Sequence, residues 1–176
     1  MTEQSTTPAT PRMGLPAGIG MVVAIFVFSS IWIGLGGHFL HLHSFFASFL
    51  FAWYWGAVGQ LSFKRWPACL MGSLLGLGAS WQLAYLTAHY GAAGTEAGVL
   101  VIALLVLCLV MQWFTSVVNM SAMLFMAVLA APQFAGADYP ELAGAIIGGA
   151  VFIGGIVFVA LRLIAFFGGA KTSQAG

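Results

Sequence analysis

The chain has 176 residues, of which 61% are hydrophobic and only 5% are charged, with a mean hydropathy of +1.03. A soluble domain carries about 25% charged residues, so this composition excludes one and implies an integral membrane protein whose first partner is the lipid bilayer. A formal net charge of +1 gives no basis for nucleic-acid binding.

Residues 1–16 are polar and rich in Thr and Pro, and read as a disordered cytoplasmic tail. Arg12 and the apolar run after it share features with a signal peptide. The run is long and lacks a clean small-residue cleavage site, so an uncleaved first span is expected. A membrane helix needs about 20 apolar residues. Blocks of that kind lie near Ala17–Leu35, Ser44–Phe63, Trp66–His89, Ala97–Phe114, Ser121–Ala135 and Glu141–Phe167. The fifth is short and the sixth is long enough to tilt. Alternating polarity, the mark of a β-barrel, is absent. The expected fold class is therefore all-α, a polytopic membrane protein of about six transmembrane helices. A single domain spans 17–167 and a second cytoplasmic tail covers 168–176.

With the N-terminus inside, Arg12, Lys64, Arg65, Arg162 and Lys171 all fall on the cytoplasmic side, while Glu96, Asp138 and Glu141 fall outside. This is the positive-inside pattern and implies a multi-pass protein with both termini cytoplasmic. The stretch from Gly98 to Ala137 carries no charge, and its centre, Gln112 to Ser121, is polar. Either the chain turns sharply there or a helix breaks inside the membrane, which is tolerated only where the break lines a cavity. Cys69 and Cys108 lie far apart in apolar blocks, outside any CxxC pattern, and read as small buried residues.

An internal repeat relates the two halves. Gln60 precedes Trp66-Pro67 as Gln133 precedes Tyr139-Pro140, and each aromatic–proline pair opens a small-residue helix. Gly72 and Gly76 then match Gly144 and Gly148, with one residue gapped, and are read as helix-packing positions. Repeats near 17–92 and 97–167 contain three spans each, an odd number, so the second copy is expected inverted. Inverted repeats are common in transporters and channels, with the solute path at their interface.

The ordered pattern Ile31-Trp32, Ser44-Phe45, Gly72-Ser73-Leu74-Leu75-Gly76, Trp81, Phe114-Thr115-Ser116-Val117 and Pro132 resembles a family of small bacterial inner-membrane proteins classed only as a domain of unknown function. The similarity covers roughly Ile25 to Phe166 and implies architecture without an activity. Val118 and Asn119 stand where that family often has proline or glycine. Size and span count also resemble the small six-helix urea and amide channels, which are oligomers.

Polar residues inside apolar blocks need hydrogen-bond partners where there is no water. Tyr54, Gln82, Gln112, Thr115 and Asn119 are the candidates for a solute path, or else join helices. His38, His41, His43 and His89 all fall on the outer side. They read as an acid-sensing outer mouth, as ligands of a metal or haem, or as amphipathic side chains at the headgroup boundary. No cofactor is expected, and no enzyme motif occurs. Without a carboxylate deep in a span, a passive route fits better than a proton-coupled pump. The first expectation is a homo-oligomeric channel or facilitator for a small uncharged or weakly polar solute. The others are a non-transporting accessory subunit of a membrane complex and a metal- or haem-binding membrane protein.

Overall fold

The structure, a computed structural model, describes residues 15–169 apart from 132, 133 and 135. The expected tails at 1–14 and 170–176, with Arg12 and Lys171, and also Pro132 and Gln133, lie outside the described residues. Among the described residues the chain forms five helices and no strand: α1 (Leu15–Phe39), α2 (Phe46–Ala57), α3 (Trp66–Val110), α4 (Met120–Leu129) and α5 (Tyr139–Gly169). Three of these, α1, α3 and α5, are long and apolar enough to cross a membrane.

At 45 residues, α3 would be more than twice as long as the about 30 Å hydrocarbon layer if it were straight. It is not straight. Gly91 adopts φ +58° and ψ −133°, a backbone that glycine reaches without a Cβ clash. The chain reverses there, so that residues 66–90 and 92–110 run antiparallel as two limbs. Thr87 Oγ1 and Thr95 Oγ1 are 3.0 Å apart across the reversal. Gly98 lies against Leu83, and a Cβ on Gly94 would overlap the Leu86 carbonyl. The sequence reading set a connection between His89 and Ala97. A single glycine does the turning instead, and both limbs stay helical up to it.

The helices α2 and α4 are shorter than the apolar blocks that contain them, with 12 and 10 residues against Ser44–Phe63 and Ser121–Ala135. At 1.5 Å per residue they reach only about 18 and 15 Å. Their flanks are taken up by left-handed turns, at Gln60 and Leu61 after α2 and at Gln112 and Phe114 before α4. The polar patch at Gln112–Ser121 is therefore a connection followed by a fresh helix start. Asn119 caps that start, its side-chain oxygen accepting from Ser121 N at 2.9 Å.

The two short helices occupy the centre: α2 packs on α5, and α4 packs on α3. Phe51, Trp55, Phe125, Leu129 and Ile146 are fully buried between them. The buried positions repeat. Cys69, Gly72, Ser73, Gly76 and Leu77 of α3 stand at one constant offset from Leu142, Ala145, Ile146, Gly149 and Ala150 of α5. Ala47, Ser48, Phe51 and Trp55 of α2 stand at another from Ser121, Ala122, Phe125 and Leu129 of α4. The contacts follow the same rule, with Gly76 against Ala122 and Phe125, and Gly149 against Ser48. Gly76 thus corresponds to Gly149 and Gly72 to Ala145, with no gap. The sequence pairing to Gly148 and Gly144 was one residue short. Gly148 faces Trp32 and Leu40, and Gly144 meets only Leu42 loosely, at 3.8 Å.

A Cβ at Gly76 would strike the Ala122 carbonyl and the Phe125 side chain, whereas one at Gly78 meets nothing within 4 Å. Gly76→Ala is therefore expected to cost about 1–3 kcal/mol by overpacking. Gly78→Ala is expected to stay within about 0.5 kcal/mol of the parent. Thermal unfolding of both variants in detergent checks the contrast.

Candidate functional site

The backbone of α3 carries hydroxyls at seven-residue spacing: Ser73, Ser80 and Thr87. Seven residues are nearly two helical turns, so the three lie along one stripe, with about 10 Å between neighbours. That stripe faces α4 and the second limb of α3. Ser73 Oγ and Ser121 Oγ are 2.8 Å apart, and the Cys69 carbonyl oxygen lies 2.8 Å from the first and 3.0 Å from the second, so two hydroxyl protons are shared among three contacts. Ser80 Oγ shares its proton between the Gly76 and Met126 carbonyl oxygens, at 3.0 and 3.2 Å. Thr95 meets Thr87 and also donates to Gly91 O at 3.1 Å. Apart from these hydroxyls and the Asn119 amide at its start, the seam between α3 and α4 is apolar.

A cleft lies at each end of the stripe. One, about 140 Å3, is lined by Tyr54, Arg65, Ala68, Cys69, Thr115 and Asn119. It sits where α2 ends, α3 begins and α4 begins. The Asn119 amide donates from Nδ2 to Ala68 O at 2.7 Å and ties the last two together. The other, about 330 Å3, is lined by Ser80, Thr87, Thr95, Leu129 and Tyr139 between the two limbs of α3 and the start of α5. Cys69 borders the first cleft and Ser80 the second, and between them the Ser73–Ser121 pair and the close contact of Gly76 with Ala122 and Phe125 close the seam.

Of the expected path residues, Tyr54, Thr115 and Asn119 share the first cleft. Gln82 and Gln112 are not brought to it. Gln82 is half-buried further along α3, and Gln112 is exposed with its amide donating to Leu109 O at 2.9 Å. Short-range bonding of this kind holds an exposed glutamine on its own helix end.

The histidines do not form one cluster. His41 and His43 share an open cleft of about 350 Å3 with Asp138 and Glu141. His38 stacks edge-on against Phe39, and His89 stacks on Tyr85 with its Nδ1 2.9 Å from Tyr85 O. Among the described residues no three His, Cys, Asp or Glu side chains come close enough to hold a metal ion. Glu141 plays a different part. Its Oε1 accepts from the backbone N–H groups of His43 and of Ser44, the latter at 2.7 Å, and so ties the segment just before α2 to the first turn of α5. His43 Nδ1 is 3.8 Å from the same oxygen.

The sequence reading missed the buried serines Ser48, Ser73, Ser80 and Ser121. The seven-residue spacing of Ser73, Ser80 and Thr87 was the signal available. Ser48 bonds Trp32 Nε1, which donates to its Oγ at 2.8 Å and pins α1 to α2. No family model, curated protein or solved structure matches the chain.

The Ser73–Ser121 contact is expected to couple the two helices modestly. A double-mutant cycle with Ser73→Ala and Ser121→Ala should give about 0.6 kcal/mol, the typical size for such pairs inside membranes. Thermal unfolding of the four proteins in one detergent provides the measurement. Glu141→Gln removes the charge from the acceptor of the His43 and Ser44 N–H groups and should lower stability by about 1 kcal/mol in the same unfolding measurement.

Proposed function

We propose that the protein is a small membrane channel or facilitator whose solute path follows the α3–α4 seam. The observation that carries this reading is the line of hydroxyls along the seam, with a cleft at each end. Hydroxyls and carbonyl oxygens, without a charged ring, suit a small solute that crosses uncharged. The Ser73–Ser121 pair and the contact of Gly76 with Ala122 and Phe125 close the seam, and opening needs α4 to move against α3.

The architecture in this reading is two inverted three-helix halves with six membrane segments. The reversal at Gly91 turns α3 into two crossings, while α2 and α4 are the short central segments of the two halves. The matched burial of α3 with α5, and of α2 with α4, supports it, as does the swap by which each short helix packs on the long helix of the other half. Lys64, Arg65 and Arg162 lie at the end that carries the smaller cleft, and Glu96, Asp138 and Glu141 at the other. Charge asymmetry of this kind supports a multi-pass protein of a bacterial inner membrane with the basic end cytoplasmic.

A second reading has its own observation. Along α1 nearly every residue is exposed, and Gly20 and Gly34 have open space where a Cβ would stand. A helix so lightly held by its own chain suits a neighbouring helix, either in a homo-oligomer or as an accessory subunit of a larger complex. Purification in mild detergent separates these: a closed homo-oligomer goes with the channel, and co-elution with one partner at fixed ratio goes with the accessory role.

Flux in proteoliposomes across a panel of small solutes tests the path. Ser80→Leu, which fills the seam beside the larger cleft, should abolish flux while the protein still elutes as the parent does. Ser80→Ala should keep most of it. Rates equal to protein-free vesicles for every solute would sink the channel reading.

A further inference from the structure

We infer that the apolar groove between α1, α2 and α5 holds one acyl chain of an anionic phospholipid, whose headgroup sits on Arg162 and Lys64. Such a lipid would belong to a channel and to an accessory subunit alike. The groove has a volume of about 230 Å3 and is walled by Ile25 and Trp32 of α1, Phe49 and Ala52 of α2, and Phe152 and Ile156 of α5. Ser29 is the one side-chain hydroxyl on its walls. Among the described side chains of α1 only Trp32 and Gly36 are buried, so the wall that α1 forms is held chiefly at its Trp32 end.

The molecule contains its own comparison. By the offset that relates α2 to α4, Phe49 and Ala52 correspond to Met123 and Met126. There the second limb of α3 closes on the two methionines, and a space of only about 10 Å3 is left. Beside α2, α1 stands off instead, and Ala52 is too small to fill the gap. The size of that gap selects its occupant. A helix about 10 Å across fills about 400 Å3 in each turn, so a helix of a second copy does not enter the groove, whereas an acyl chain, a single file of methylenes, does.

Charge supplies the headgroup. Trp32 stops the groove at one end: it is buried, donates from Nε1 to Ser48 Oγ at 2.8 Å, and stacks on Phe152 with ring centroids 5.3 Å apart. Toward the other end lie two cations. The Arg162 guanidinium carbon is 5.1 Å from the centroid of Phe158, and Phe158 meets Phe63 edge-on at 6.2 Å, which brings Lys64, the neighbour of Phe63, to the same corner. Both cations are exposed, and among the described residues neither forms an ion pair. Arg162 is ten residues from Phe152 along α5, a rise of about 15 Å, which is one leaflet of a hydrocarbon layer about 30 Å thick. A phosphate held at Arg162 therefore leaves its chain the depth it needs to end at Trp32. Each Lys or Arg near the membrane surface favours an anionic headgroup about fivefold.

Native mass spectrometry and thermal unfolding of the full chain in detergent, with dioleoyl phosphatidylglycerol, dioleoyl phosphatidylcholine or glycerol phosphate added, test the assignment. Phosphatidylglycerol should bind about fivefold or more tighter than phosphatidylcholine and raise the melting temperature, and glycerol phosphate, which has no chain, should do neither. Arg162→Gln should cut the preference for phosphatidylglycerol about fivefold while phosphatidylcholine still binds. Ala52→Met, which copies Met126, should fill the groove and remove the binding of both lipids. Ser29→Leu fills it from the α1 side and serves where Ala52→Met fails to assemble. Equal binding of the two lipids by the parent, a response to glycerol phosphate, or unchanged lipid binding in the folded Ala52→Met or Ser29→Leu protein would overturn the site. A homo-oligomer that takes up no phospholipid would overturn it too, and would put a second copy over the groove.

Discussion

The close seating of each short central helix on a small-residue face is the contact on which the remaining structure depends. With Gly72, Ser73 and Gly76 on α3, the backbone of α4 can approach until side-chain hydroxyls bond across the seam. On α5, Ala145 and Gly149 do the same for α2. Apolar side chains gain little from one another when the surroundings are lipid, so close packing and interhelical hydrogen bonds must supply the association. That requirement explains why serine, a poor choice for an apolar interior, is the polar residue buried at both crossings. Each buried serine bonds a backbone carbonyl or another hydroxyl, and none is left alone among the described residues.

Short helices create a second demand. Both α2 and α4 end well short of the bilayer thickness, so their termini need polar partners near or within the membrane boundary. The two helices meet this need differently. The Glu141 carboxylate of α5 holds the His43 and Ser44 N–H groups just before α2, whereas the neutral Asn119 amide caps α4 and also reaches the α3 backbone.

Much of this architecture was legible in the residues. The absence of charge and the block lengths implied apolar helices, and the aromatic–proline pairs marked two equivalent helix starts, because proline suits the first turn and little else in a helix. The glycine register came out one residue off at Gly144 and Gly148. Small residues are so frequent in that segment, Gly144-Ala145-Ile146-Ile147-Gly148-Gly149, that composition cannot tell which glycine meets a neighbour. Tyr54, Thr115 and Asn119 come from separate elements and meet at one cleft, and each is a polar residue in an apolar block. Gln82 and Gln112 satisfied the same criterion and do not join them, because polarity along the chain says nothing about direction around a helix.

The sequence by itself determined that the chain is helical, strongly apolar and poor in charge, because those properties are sums over residues and need no partner. Only the tertiary structure decided where helices stop and which faces meet. Gly91 reverses α3 because its backbone alone can take that turn without a clash. Much of two apolar blocks becomes connection because α2 and α4 need be only as long as the faces they cover.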